Sequence, residues 1–121
     1  MKYSTTFAEM SEIFALIDKA DNKIGAYLQS ENEYANASEN YRASGYNLSF
    51  AKEMHIAYEA MVKARRAMNA CFRKLLTAFQ ADSNDDNDKY LRDLAKRDYE
   101  PCRFLSAAKR EAMRLARNIE L

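Results

Sequence analysis

The sequence predicts an all-α fold: an elongated, antiparallel three-helix bundle forming a single domain over residues 1–121. Three observations carry that expectation. Glycine occurs twice and proline once in 121 residues, where average usage gives roughly eight or nine and about six. A sandwich or barrel needs Gly/Pro-rich turns about every 8–12 residues, and a βαβ chain needs more joints than this sequence offers. Apolar residues recur at a three-four spacing through three long stretches. Two short polar joints separate those stretches, which makes neighbouring helices antiparallel.

The first helix is expected over about 7–42. Thr6-Phe7-Ala8-Glu9 reads as a capping box, in which the hydroxyl caps a free N–H and Glu9 reaches back. Met10, Ile13, Ile17, Ala20, Ile24 and Tyr27 then form one stripe, widened by Phe14 and Leu28. The stripe continues as Glu31, Tyr34, Ser38 and Tyr41, so its second half is more polar. Gly25 lies inside it at a helix cost of about 1 kcal/mol against alanine. Gly45, in the joint Ala43-Ser44-Gly45-Tyr46-Asn47, suits the left-handed residue that ends a helix. Asn47 or Ser49 suits the cap of the next.

The second helix is expected over 48–81. Met54, Met61, Met68 and Leu75 alternate with Ala57, Ala64, Cys71 and Ala78 along a seam, flanked by Tyr58, Phe72 and Phe79, with Arg65 out of pattern. So wide an apolar face suits a globular bundle better than a two-stranded coil. The second joint, Asp82-Ser83-Asn84-Asp85-Asp86-Asn87-Asp88, is too polar for core, and Asp88 suits a cap. The third segment, 89–119, holds Leu91, Leu94, Leu105, Ala108, Ala112, Leu115 and Ile119 in one register. Pro101 interrupts it. Proline lacks the donor and disfavours helix at Glu100, so the segment is kinked or split there. The surviving register leans towards a kink. Helices of thirty-odd residues are ~45–50 Å long, which leaves room for a dimer seam.

Net charge is +1, but it is segregated. Residues 1–50 carry −3, 51–81 carry +4, 82–88 carry −4 and 89–121 carry +4. Lys89, Lys96, Arg103, Arg110 and Arg117 recur every seven residues on the side away from the apolar register. A phosphate-binding surface would draw on Lys63, Arg66, Arg73, Arg103, Arg110, Arg114 and Arg117. Solvated helix surface explains the same pattern without a ligand.

Residues that carry chemistry are sparse. A carboxylate-bridged di-metal bundle needs Glu-x-x-His pairs, and His55 is the single histidine. Cys71, Cys102 and His55 lack zinc-ligand spacing, and both cysteines read as small buried hydrophobes. Gly25 and Gly45 stand alone, so no glycine-rich phosphate loop is present. Glu31 and Glu33 fall on different faces of one helix. Written as a calcium loop, residues 82–88 and beyond place Asp82, Asn84, Asp86, Asp88, Tyr90 and Asp93 at the ligand positions. Asn87 replaces the turn glycine and Asp93 the longer glutamate, so a solvated joint with helix caps is the simpler account. Neither an enzyme nor a cofactor or metal site is expected.

Eight tyrosines are many for this length. Tyr27, Tyr34 and Tyr41 recur every seven residues beside Glu31 and Ser38. Amphipathic aromatics among small and acidic groups suit a surface facing a protein partner, although tyrosines also cover bundle ends with their hydroxyls in water. The functional expectation is a small, non-catalytic helical interaction protein acting as an adaptor, regulator or inhibitor. It would dock through Tyr27, Glu31, Tyr34 and Tyr41, with homo-oligomerisation compatible with its length. Small accessory proteins of mobile elements share this profile, by analogy only. The alternative is non-specific nucleic-acid binding. There is neither an 18-residue apolar run nor a signal-peptide pattern at the N-terminus, so no membrane association and a cytoplasmic location with reduced thiols are expected.

Overall fold

A computed structural model of the chain describes residues 5–81, 85–97 and 99–120. They contain four helices: α1 (Phe7–Ala43), α2 (Leu48–Ala78), α3 (Asp86–Ala95) and α4 (Pro101–Ala116). Two-residue strands β1 (Thr5–Thr6) and β2 (Ile119–Glu120) pair in parallel at the chain ends, with Thr5 opposite Ile119. The all-helical class is as expected. The third expected helix is two, so the described chain has four helices rather than three.

The two long helices are set by their ends. Thr6 caps α1: its Oγ1 accepts from Glu9 N at 3.1 Å, and Glu9 Oε1 accepts from Thr6 N at 3.4 Å. At the other end the amide of Gly45 donates to Arg42 O and that of Tyr46 to Tyr41 O. This is a Schellman closure, with Gly45 at φ +74° and the Tyr46 ring 5.3 Å from the Tyr41 ring. Such closures carry an apolar contact across the turn. Asn47 then caps α2 by accepting from Ser49 N at 3.0 Å.

α2 closes at Ala78, three residues before the expected end. The amide of Gln80 donates to Thr77 O and that of Ala81 to Leu76 O, the same closure pattern as at Gly45. Gln80 supplies the left-handed residue, at φ +54°. A side chain there is strained, and because the position is not glycine the sequence does not mark this turn.

α3 starts at Asp86, earlier than expected, and its cap is Asp85 rather than Asp88. Asp85 Oδ1 accepts from Asn87 N at 2.9 Å and Asp88 N at 3.3 Å. Asp88 is fully buried, against the expectation that this joint stays out of the core. It sits three residues before Leu91, so the helical repeat turns it to the same inner face. Its charge lies in the first turn, where the helix dipole favours an anion.

Pro101 splits the third segment. It occupies the first turn of α4, is itself buried, and follows Glu100 at φ −135°. Proline fits there because the first-turn N–H has no intrahelical acceptor. α4 ends at Ala116, so Ile119 pairs with Thr5 instead of continuing the helix.

α1 and α2 form a long hairpin, α4 packs across its lower half, and α3 packs on α4 and α2. The core collects Met10, Ile13, Ile17, Ala20, Ile24 and Tyr27 from α1, and Met61, Met68, Cys71, Phe72, Leu75 and Phe79 from the α2 side. Leu91, Leu94, Phe104, Leu105, Ala107, Ala108, Ala112 and Leu115 complete it. The Phe72 and Phe104 rings are 4.2 Å apart. Each large apolar side chain buried here stabilises the fold by about 1.5–3 kcal/mol.

Two substitutions test these local accounts. Gly25 is exposed within α1, and an added Cβ meets nothing within 4 Å. Gly25→Ala is expected to stabilise the chain by about 0.5–1 kcal/mol. Gln80→Gly, by relieving the left-handed residue, is expected to stabilise by a similar amount, about 0.5–1 kcal/mol. Urea midpoints check both, and a lower midpoint for Gln80→Gly contradicts the strain at that turn.

Candidate functional site

The hairpin outreaches its support. α1 has 37 residues and α2 has 31, whereas α4 has 16. Since β2 lies beside β1, the end of α4 is level with the start of α1. α4 therefore covers the lower hairpin. Above it, between Tyr27 and Met61, no residue is buried. Residues 28–43 alone run for ~24 Å at 1.5 Å per residue. These two helix segments form an arm with a single seam.

The seam explains the tyrosines. Tyr27 is buried, and its hydroxyl donates to Glu31 Oε2 at 3.0 Å. Tyr34 is half-buried, with its ring 5.5 Å from that of Tyr58 on α2. Tyr41 is half-buried against Tyr46 in the Schellman closure. Tyr27, Tyr34 and Tyr41 thus line the inside of the hairpin from core to tip, while Glu31 is exposed beside them. Phe50, Ala51, Met54 and Ala57 are the half-buried residues facing them along α2.

The outward apolar groups of the arm are others. Leu48 is 83% exposed and Ile56 64% exposed, and Leu28, Tyr46 and Tyr58 are also exposed. Sequence reasoning placed Leu28 and Tyr58 at the flanks of the core. The signal that could have separated them is Pro101: a helix that begins there and has 16 residues spans less than half the length of α1.

The basic candidates divide into separate groups. Lys63, Arg66, Arg73, Arg103, Arg110 and Arg117 are exposed and Arg114 is half-buried. Lys63 and Arg66 line a groove of about 400 Å³ with Tyr58, Glu59 and Val62. Arg73 and Arg92 line a second with Leu76, Thr77 and Gln80. Arg110, Arg114 and Arg117 line a third with Lys109 and Met113. Each of these grooves takes its candidate cations from α2 alone or from α4 and its C-cap Arg117 alone. Arg114 donates to Glu111 through Nε at 3.0 Å, and Arg103 lies 3.3 Å from Glu100. Those contacts hold both side chains along their own helix.

The described part of the acidic joint does not have the form of a calcium loop. Asp82 and Asn84 lie outside the described residues. Asp86, Asp88, Tyr90 and Asp93 all belong to α3. A calcium loop needs these positions to converge from an open turn, whereas here Asp88 is buried and the other three are exposed. Among the described residues, no group of three or more His, Cys, Asp or Glu side chains could hold a metal. No described helix is long and apolar enough to cross a membrane.

His55 is exposed and lies 2.9 Å from Glu59 on the next turn. Cys71 is buried as expected, and its thiol contacts Leu16 O at 3.6 Å. Cys102 is exposed, which corrects its placement near the core. Pro101 takes the buried position at the start of α4, and the next residue turns outward.

Burial pushes the Cys71 thiol up from its ordinary range, more than the lysines Lys19, Lys74 and Lys23 draw it down. The folded chain therefore holds that proton to higher pH than the unfolded chain does. Stability from this group is unchanged below the ordinary thiol pKa and falls as pH rises beyond it. At about pH 8, where an ordinary thiol is partly ionised, the native chain is expected to expose one fast-reacting thiol, Cys102, to a disulfide reagent, and two in denaturant. Rapid loss of both thiols without denaturant contradicts the burial of Cys71. The chain matches no protein-family model, and no curated protein or solved structure is significantly similar to it.

Proposed function

We propose that this chain is a non-catalytic helical interaction protein whose two-helix arm is its docking surface. One observation carries the reading: no residue between Tyr27 and Met61 is buried, although both segments are helical. Two helices with one seam are a marginal unit in water, because most helical stability comes from packing an apolar face. Exposed Leu28, Leu48, Ile56 and Tyr58 supply apolar groups for a partner to cover. The tyrosines first assigned to that contact shape the arm from inside, with Glu31 and the edges of Tyr34 and Tyr41 left accessible. The partner is a protein that adds helical or flat apolar surface, and the chain acts by occupying it, as an adaptor or inhibitor does.

A second reading keeps one supporting observation. Lys109 and Arg110 on α4 and Arg117 at its C-cap stay exposed around a groove, which suits phosphate contact without base reading. Titration with duplex and single-stranded DNA at low salt decides it: a flat response removes nucleic acid, and a steep salt dependence supports it.

The docking reading is tested with Leu28→Gln, Leu48→Gln and Ile56→Gln combined. Glutamine is a good helix former, and exposed positions shift stability by only about 0.5 kcal/mol each. Helicity and melting temperature are expected to hold while capture of the partner from the native host is lost. Unchanged capture by a folded variant overturns the assignment of the arm.

A further inference from the structure

From Ala60 to Ala81 the chain has no Asp or Glu, yet it carries Lys63, Arg65, Arg66, Arg73 and Lys74. Arg65 is half-buried and the other four are exposed. Those four fall within about 100° of one another around α2. By the same repeat they lie opposite the buried side of Met61, Met68 and Leu75. None of the four has a carboxylate within ion-pair distance among the described residues. Elsewhere Arg42 and Arg114 pair with a glutamate three positions away. No acidic residue stands three or four positions from Arg66, Arg73 or Lys74. Glu59, four before Lys63, lies 2.9 Å from His55 instead.

This outward ridge of α2 has grooves along it. Lys63 and Arg66 share one of about 400 Å³ with Glu59 and with Tyr58, which is 44% exposed. Arg73 and Lys74 line another of about 510 Å³, over Leu16 and Ala70. Glu12 lines it too, but Lys19 and Lys23 continue the line of Glu12 and Leu16 along α1 at a three-four spacing. Lys19, Lys74 and Lys23 all lie close enough to the Cys71 thiol to act on its charge, against the larger effect of its burial. Cations of both helices therefore converge there. Asp18 and Asp21 fall on the other flank of α1 by the helical repeat. Arg73 also borders a groove of about 460 Å³ that reaches Arg92, whose Nη1 donates to Ala81 O at 3.3 Å.

The spacing selects the ligand. Lys63 and Arg66 are about one turn apart, and Arg73 and Lys74 stand two turns further on, ~10 Å away. One small anion cannot touch both pairs, whereas a chain of phosphates can. The exposed Tyr58 ring beside the first pair offers a face on which an unpaired base stacks. A duplex brings the same phosphates but keeps its bases stacked on each other, so it gains nothing from that ring. We propose that the outward ridge of α2 holds a single-stranded nucleic acid, its phosphates on Lys63, Arg66, Arg73 and Lys74 and a base on Tyr58. From Lys63 to Thr77 the track is ~21 Å long at 1.5 Å per residue. It reads no sequence, since phosphate contacts position a strand without specifying it. The ridge goes beyond the docking reading, which concerns the arm, and it is on a different helix from the cations of α4.

The test is fluorescence anisotropy of a labelled single-stranded DNA of about twenty nucleotides, titrated with the full chain at about 50 to 200 mM salt. Four phosphate contacts on a single strand predict a slope of about −2.8 in log affinity against log salt, a loss of about fifty-fold over that range. Lys63→Gln with Arg66→Gln, and separately Arg73→Gln with Lys74→Gln, are each expected to halve the slope and to weaken binding about tenfold or more at 50 mM. Glutamine keeps the helix, and thermal melts confirm folding. Lys109→Gln with Arg110→Gln on α4 and the Leu28/Leu48/Ile56 variant are expected to bind as the wild type does. A duplex of the same sequence is expected to bind more weakly than the single strand. No binding at 50 mM, tighter binding to the duplex, or ridge variants indistinguishable from the wild type overturns the proposal. Loss in the α4 variant alone overturns it as well and returns nucleic acid to the α4 groove. Strand binding on the ridge by a chain that captures no host protein upholds the proposal and removes the docking reading.

Discussion

The packing of α4 across the lower hairpin is the contact on which the rest of the molecule depends. Phe104 meets Phe72, while Ala107, Ala108 and Ala112 are buried on the same helix. Small residues allow close helix approach, and Phe104 fills the space between the longer pair. Because α4 is 16 residues long, it covers ~24 Å of a pair whose members are ~55 and ~46 Å long. Along the hairpin the buried core stops at Tyr27 and Met61. What lies beyond is held by the seam of tyrosines, methionine and alanines and by the closure at Gly45.

That mismatch leaves the upper half of the hairpin without α4 against it. A helix of the same sequence running through Pro101 would have covered more of the hairpin. The proline instead starts a new helix at a buried first turn, and the residues before it fold back as α3 on α4 and α2. The pairing of β1 with β2 then fixes the chain ends together at the base. The arm is left with apolar groups exposed and, among the described residues, no helix over it.

Much of the base was legible in the residues. The Thr6–Glu9 box, the stripe from Met10 to Tyr27, the Gly45 joint and the Leu91-to-Leu115 register are local patterns, and local hydrogen bonding and helical period determine them. The features that were not legible depend on non-local geometry. Gln80 in a left-handed turn has no sequence signature because glycine is the usual occupant. Asp88 looked like joint and is core, since the start of α3 shifted by three residues and its inner face took the carboxylate with it. Cys102 looked inward because it flanks that register, but Pro101, Phe104 and Leu105 take the inner face at the start of α4 and Cys102 is turned outward. Tyr34 and Tyr41 stood out by their seven-residue spacing, but periodicity cannot say that they line the inside of the hairpin or that a third helix stops short of them. The outward-facing set, Leu48 and Ile56 above all, follows only once that stop is known.

The central claim is that stability resides in the base and that the arm is held open for a partner. Amide hydrogen exchange on the full chain at low micromolar concentration tests it most directly, because exchange reads the free energy of local opening. The amides of residues 28–43 and 48–60 are predicted to exchange at least about tenfold faster than those of 10–27 and 61–78. Their protection is predicted to rise when the arm is covered. Equal protection along the whole hairpin in the uncovered chain would contradict the account.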